Sequence, residues 1–193
     1  MILGKNYPTF PDCSTRYHAL YHSGVRTPNL INTIVVHTTE GETAEGAAVW
    51  FSTPGLPPNE QGSSNVIVSD DICYRVLDDL IIPWAAPPFN TRGFHIEITG
   101  FAHWTSSEWA SHKKRVENAA YRAAIRCHRY SIPVIWRSPE DLRANRNGIT
   151  SHANIDLAYH QSNHTDPGPN FPVQEFLELT QWYLTRLERT TNV

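Results

Sequence analysis

The run Thr33-Ile34-Val35-Val36, ending directly on His37, constrains this chain more than any other stretch. β-Branched residues in unbroken succession suit a short strand with contacts on both faces, and such a strand needs packed layers above and below it. The neighbouring sequence supplies those layers. Thr43 to Ser52 reads as a short helix stopped by Pro54-Gly55, and Asn65 to Val68 with Ile72 to Leu77 reads as a hairpin around Ser69-Asp70-Asp71. Phe94 to Thr99 alternates, which puts His95, Glu97 and Thr99 on one face of a strand and Phe94, Ile96 and Ile98 on the other. Ser107 to Arg129 is the longest helical pattern, closed by Ser131-Ile132-Pro133. Val134 to Trp136 reads as a short strand, and Ser138-Pro139 opens a short helix with Ser as N-cap. Residues 148–170 read as loop, Val173 to Leu187 as a final amphipathic helix, and Pro83 to Asn90 as a turn-rich connection. The expected fold is α/β: a single domain, residues 31–193, with a central mixed β-sheet flanked by α-helices, preceded by an irregular lead-in over residues 1–30.

Composition narrows the partners. Net charge is -3 with 16 Lys and Arg, and the one dense cluster, Lys113-Lys114-Arg115, reads as a solvated helix face. Nucleic acid is therefore not expected as a partner. The three cysteines, Cys13, Cys73 and Cys127, are far apart and lack CxxC spacing, so neither a disulfide framework nor a thiolate zinc finger is expected. No apolar run is long enough for membrane insertion, and Met1 to Asn6 lacks the apolar stretch of a secretory signal, so synthesis in a cytoplasm is expected. Ten histidines and six tryptophans are a rich supply for 193 residues, compatible with a metal and with sugar or peptide stacking.

Ligands of open α/β sheets gather where strands end, which singles out His37 before Thr38-Thr39-Glu40-Gly41. His152 follows Gly148-Ile149-Thr150-Ser151, and Asp166 sits in Thr165-Asp166-Pro167-Gly168, which is also ordinary turn chemistry. Two imidazoles and one carboxylate can hold one zinc ion and leave its fourth position open, as a hydrolytic site requires and a structural site does not. Asp156 is a rival carboxylate, with local hydrogen bonding as its competing role, and His160 is a rival imidazole. Glu97 is a candidate base, with a plain surface carboxylate as the alternative.

Together these residues resemble a known family, the type 2 zinc-dependent N-acetylmuramoyl-L-alanine amidases, relatives of phage endolysin amidases and of peptidoglycan-recognition proteins. The resemblance covers roughly residues 30 to 185. It rests on Val35-Val36-His37-Thr38, on the segment ending at His152, on His164-Thr165-Asp166-Pro167-Gly168, and on Gly93-Phe94-His95-Ile96-Glu97-Ile98-Thr99-Gly100. It implies one Zn2+ held by His37, His152 and Asp166, with Glu97 and His164 catalytic. His164 stands where the family has a lysine, and would stabilise the oxyanion or pass a proton to the amine. Thr38, Asn65 and Trp84 become candidate substrate contacts, and Trp50 and Trp104 further stacking platforms. Ser64-Asn65 stands where the family's hairpin usually carries Tyr or His, and Trp84-Ala85 where its loop has Trp-His. The implied activity is cleavage of peptidoglycan between N-acetylmuramic acid and L-alanine by a monomeric phage endolysin, reaching the wall through a phage holin. The alternatives are a non-catalytic peptidoglycan-binding module, a cytoplasmic wall-recycling amidase, and a zinc peptidase, the last weakened by the lack of His-Glu-x-x-His.

Overall fold

The computed structural model describes residues 9–191. In chain order its elements are β1 (His22–Val25), β2 (Thr33–Thr38), α1 (Ala44–Phe51), β3 (Val66–Val68), β4 (Cys73–Arg75), β5 (Ile81–Pro83) and β6 (Gly93–Ile98). They continue as α2 (Ser106–Ser111), α3 (Lys113–Tyr130), α4 (Pro139–Arg143), β7 (Gly148–Ser151), α5 (His152–Tyr159) and α6 (Val173–Thr191). The main sheet has the order β4-β3-β6-β2-β7; β4 is antiparallel to β3, and every other neighbouring pair is parallel.

The β-branched run forms β2 near the middle of that sheet, with every residue buried. Its alternation assigns the two faces. Ile34 and Val36 pack with Phe94, Ile96 and Ile98 against Val116, Ala120 and Ala123 of α3 and Phe176 and Leu179 of α6. Val35 points the other way, onto Phe89, Leu142 and Ile155 under α4 and α5. Ile67 of β3 meets Ala44 and Ala48 of α1. The sheet is thus covered on both sides, as a parallel sheet must be.

Helix starts follow the local chemistry. The Thr43 hydroxyl accepts from the Gly46 amide at 3.1 Å, and Ser138 with Asp141 forms a reciprocal capping box at α4. The long helical pattern over 107–129 is interrupted at His112, whose backbone (φ -113°, ψ 29°) ends α2 before α3 begins.

Five expectations need correction. The stretch 148–170 is not all loop: Gly148–Ser151 adds a strand beside β2, and the Ser151 hydroxyl caps α5 by accepting from the Asn154 amide at 3.1 Å. The lead-in contains β1, which pairs with β5 in a two-stranded sheet, because Ile81 to Pro83 offers an edge that sequence alone did not show. Val134 to Trp136 is no strand; only an isolated bridge joins Trp136 to Ile149. Cys13 and Cys73 form a disulfide across a separation of 60 residues, because Ser14 bridges Tyr74 and lays the lead-in alongside β4. Arg115 is not on a solvated face: it is buried, donates to the Thr99 carbonyl at 3.1 Å and pairs with Glu42 and Asp70.

Candidate metal centre and its groove

Parallel strands end on the same side, and this brings the site together. His37 is the penultimate residue of β2 and lies in register with Glu97 of β6. On the other flank, Val36 is in register with Ser151, so the chain leaving β7 delivers His152 beside His37 at the first turn of α5. Asp166 arrives from the following loop, fastened where its carbonyl accepts from the Ala153 amide at 3.0 Å. Asp156 pins the same loop by accepting from the His164 amide at 2.6 Å and from the Ser162 hydroxyl, so this carboxylate supports the site from behind. Gly168 closes the loop at φ +89°, where any side chain would run into the carbonyl of Ala102.

His37 Nδ1 lies 3.1 Å from Asp166 Oδ2, and His152 Nδ1 lies 3.3 Å from Asp166 Oδ1. One ligand atom from each of His37, His152 and Asp166 falls within 4.8 Å of the others, and all three residues are buried. His164 stacks on His152 with ring centroids 4.0 Å apart and places its own Nδ1 3.3 Å from Asp166 Oδ1, but its side chain is half exposed. His160 is the left-handed cap of α5 and takes no part in the cluster.

The donor set fits a zinc ion: two ring nitrogens and one carboxylate oxygen, with the remaining side facing a groove. An orphaned atom beside the cluster supports the fit. Among the described residues, Glu97 Oε2 is buried without a hydrogen-bond partner, which is costly unless something else occupies the site. The electrostatics agree. Burial lowers the His37 pKa despite its contact with Asp166, keeping the imidazole neutral as a ligand must be. Burial alone would raise Asp166, but His152, His164 and His37 outweigh it and hold the carboxyl far below its usual range. Glu97 goes the other way: burial first, then Asp166 and Glu40, push its pKa well above the ordinary value. The hydrogen bond to Asp166 raises His164 above the usual imidazole value.

The groove holds a cavity of about 550 Å³ whose lining includes His37, Glu97, His152, His164 and Asp166. Trp50 and Trp84 stand on its walls, both partly exposed. Trp84 stacks on Tyr21 and donates its indole N–H to Ser23. Thr38 lines the groove too, with its hydroxyl committed to Glu40 Oε1 at 2.7 Å.

Two expected contacts fall elsewhere. Asn65 is fully buried: its Nδ2 donates to the Asp78 carbonyl at 3.1 Å, and its Oδ1 accepts from the His95 amide at 3.0 Å. Trp104 is a core residue, edge-on to Trp109 and stacked on His112. Sequence reasoning gave no role to His95, whose Nδ1 lies 3.0 Å from His37 Nε2; its shared strand face with Glu97 was the available signal.

A family model described as N-acetylmuramoyl-L-alanine amidase matches residues 26–169. No curated protein matches the chain. Among solved structures, the hydrolase AmiA of Staphylococcus aureus in complex with its ligand superposes with a TM-score of 0.72 at 17% identity, covering 94% of this chain and 87% of that one. An AmpD derivative gives 0.61 at 18% identity over 86% and 93% of the two chains. A mutant endolysin from Bacillus subtilis gives 0.57 at 16% identity over 89% and 98%. These likenesses establish the shared α/β architecture, and the match over most of the sequence goes further: the chain belongs to the N-acetylmuramoyl-L-alanine amidase family.

Proposed function

We propose that this chain hydrolyses the amide joining N-acetylmuramic acid to L-alanine in peptidoglycan, with His37, His152 and Asp166 holding one zinc ion. The observation that carries the proposal is the convergence of these three buried donors at the edge of a groove, with an unpartnered carboxylate in register beside them. Zinc, when bound, supplies a Lewis acid that polarises the amide carbonyl and brings the pKa of water to about 7.

Glu97 takes a proton from the attacking water as its oxygen bonds to the carbonyl carbon. The same proton then goes to the amide nitrogen as the C–N bond breaks, leaving a free carboxylate on the sugar's lactyl group and a peptide with a new amino terminus. The buried setting of Glu97 raises its proton affinity, which suits a group that must hold a proton between the two events. His164, half exposed in the groove lining, donates to the carbonyl oxygen as negative charge gathers there. A positioned donor of this kind contributes about 3 kcal/mol. Trp50 and Trp84 offer faces for the glycan or stem peptide on the groove walls.

The deciding experiment incubates purified, zinc-loaded protein with cell-wall sacculi and measures newly exposed N-terminal alanine. Release of alanine termini that stops on chelation is the expected result. Binding to sacculi without release would make the chain a recognition module. Within this reading the protein acts as a monomeric phage endolysin on the wall, and the Cys13–Cys73 disulfide suits an oxidising location. Passage from the cytoplasm to the wall would then depend on a holin. Host cells expressing the chain alone should remain intact and lyse when a holin is co-expressed; lysis without one would remove that step.

A further inference from the structure

Two of the three metal-binding side chains are histidines, and their far nitrogens are treated differently. His152 Nε2 is buried with no partner among the described residues, whereas His37 Nε2 meets His95 Nδ1 at 3.0 Å. His95 is fully buried, and its own Nε2 lies 3.4 Å from the carbonyl oxygen of Phe89. Asn65 grips the His95 backbone from both sides, accepting from its amide at 3.0 Å and donating its own amide to the His95 carbonyl at 3.2 Å. The ring also occupies space that only a glycine leaves free: a Cβ on Gly93 would sit 2.5 Å from His95 Nε2.

We infer that His95 is a positioning residue that fixes the tautomer and the orientation of His37 toward the metal. The inference rests on the zinc amidase reading above. A carbonyl can only accept, so the Phe89 oxygen places the His95 proton on Nε2 and leaves Nδ1 bare. A bare Nδ1 can only accept, so His37 carries its proton on Nε2 and presents an unprotonated Nδ1. That bare nitrogen faces Asp166 Oδ2 at 3.1 Å. Two electron-pair donors in contact call for a cation between them, so the relay prepares His37 for a metal. No equivalent backing exists for His152 among the described residues, which makes His37 the preset ligand and His152 the adaptable one.

The test uses the full chain and zinc alone as the probe. In the native zinc-loaded protein labelled with ¹⁵N-histidine, NMR should show His37 protonated at Nε2, with a nitrogen–nitrogen coupling to His95 across the hydrogen bond. In chelator competition, His95→Phe keeps a ring but loses the acceptor, and should weaken zinc binding about 10–100-fold. His95→Asn places an amide oxygen near the lost Nδ1 and should recover most of that affinity. A folded His95→Phe binding zinc within about twofold of native would overturn the inference, as would a His37 proton found on Nδ1. The NMR result decides the matter even where a variant fails to fold. A native protein that takes up no zinc would overturn the amidase reading itself, whereas native zinc and activity matched by His95→Phe would overturn only the role of His95.

Discussion

Asp79 and Asp166 are both buried carboxylates, 3% and 5% exposed, and each draws three side chains around it. Asp79 receives Arg126 at 3.0 and 3.3 Å, Arg129 at 3.2 Å and the Tyr130 hydroxyl at 2.8 Å, all from α3. Asp166 receives His37, His152 and His164 at 3.1 to 3.3 Å. The first cluster is complete: both carboxylate oxygens meet donors that always carry their protons, and it ties α3 to the turn between β4 and β5. The second is unfinished, for its partners are imidazoles that can accept as well as donate, and Glu97 Oε2 beside it has no partner among the described residues. Burial is alike in the two places, but two guanidinium cations surround the first carboxylate and only imidazoles the second. What separates a structural carboxylate from a functional one here is whether hydrogen bonding is closed or left open.

The contrast breaks most sharply at Asp166. Asp166→Ala should lose stoichiometric zinc and bring sacculus hydrolysis to background in a chain that still folds. Zinc content, alanine release and urea denaturation together check this; full zinc occupancy in the variant would place the third ligand elsewhere. A somewhat smaller loss is expected for Glu97→Gln. That variant keeps its metal and its fold, and its turnover should fall about 10²–10⁴-fold, the usual contribution of a positioned acid–base group. Turnover within a few-fold of native would take Glu97 out of the chemistry.

How much of this was legible in the sequence follows from how local each feature is. The β2 run, the alternation through Glu97 and the cap at Ser138 are written in neighbouring residues, and they appear where local pattern places them. The three donors could be named because each ends or follows a recognisable segment, and the structure brings them within reach of one ion. β7 escaped because Gly148 to Ser151 is only four residues long, too short for a period to show against the turn residues around it. β1, β5 and the Cys13–Cys73 bond escaped because each depends on a partner far along the chain, as does the inward turn of Arg115. Asn65 and Trp104 were misplaced for a related reason. Both are residue types that suit a binding site, and only packing decides that one clamps a strand and the other fills the core.

The complete cluster should fail in the opposite manner to the open one. Asp79→Asn leaves the buried Arg126 guanidinium without its counter-charge, and losing one partner of a buried pair costs about 3–5 kcal/mol. Urea unfolding should show that loss, while the folded variant still binds zinc and releases alanine at near-native rates. Acid gives the finer measurement. Burial by itself would raise the Asp79 pKa, but Arg126, Tyr130 and Arg129 outweigh it and hold the carboxyl below its ordinary value. A carboxyl depressed on folding contributes stability that is present in full above its unfolded value, about 3.9, and is lost as the pH falls through the folded value. The stability difference between native and Asp79→Asn should therefore be constant from neutral pH down to about pH 5 and shrink on further acidification. A difference that stayed level down to pH 2, or grew, would mean that Asp79 does not hold α3 through its charge, and the distinction between the two carboxylates would lose its physical basis.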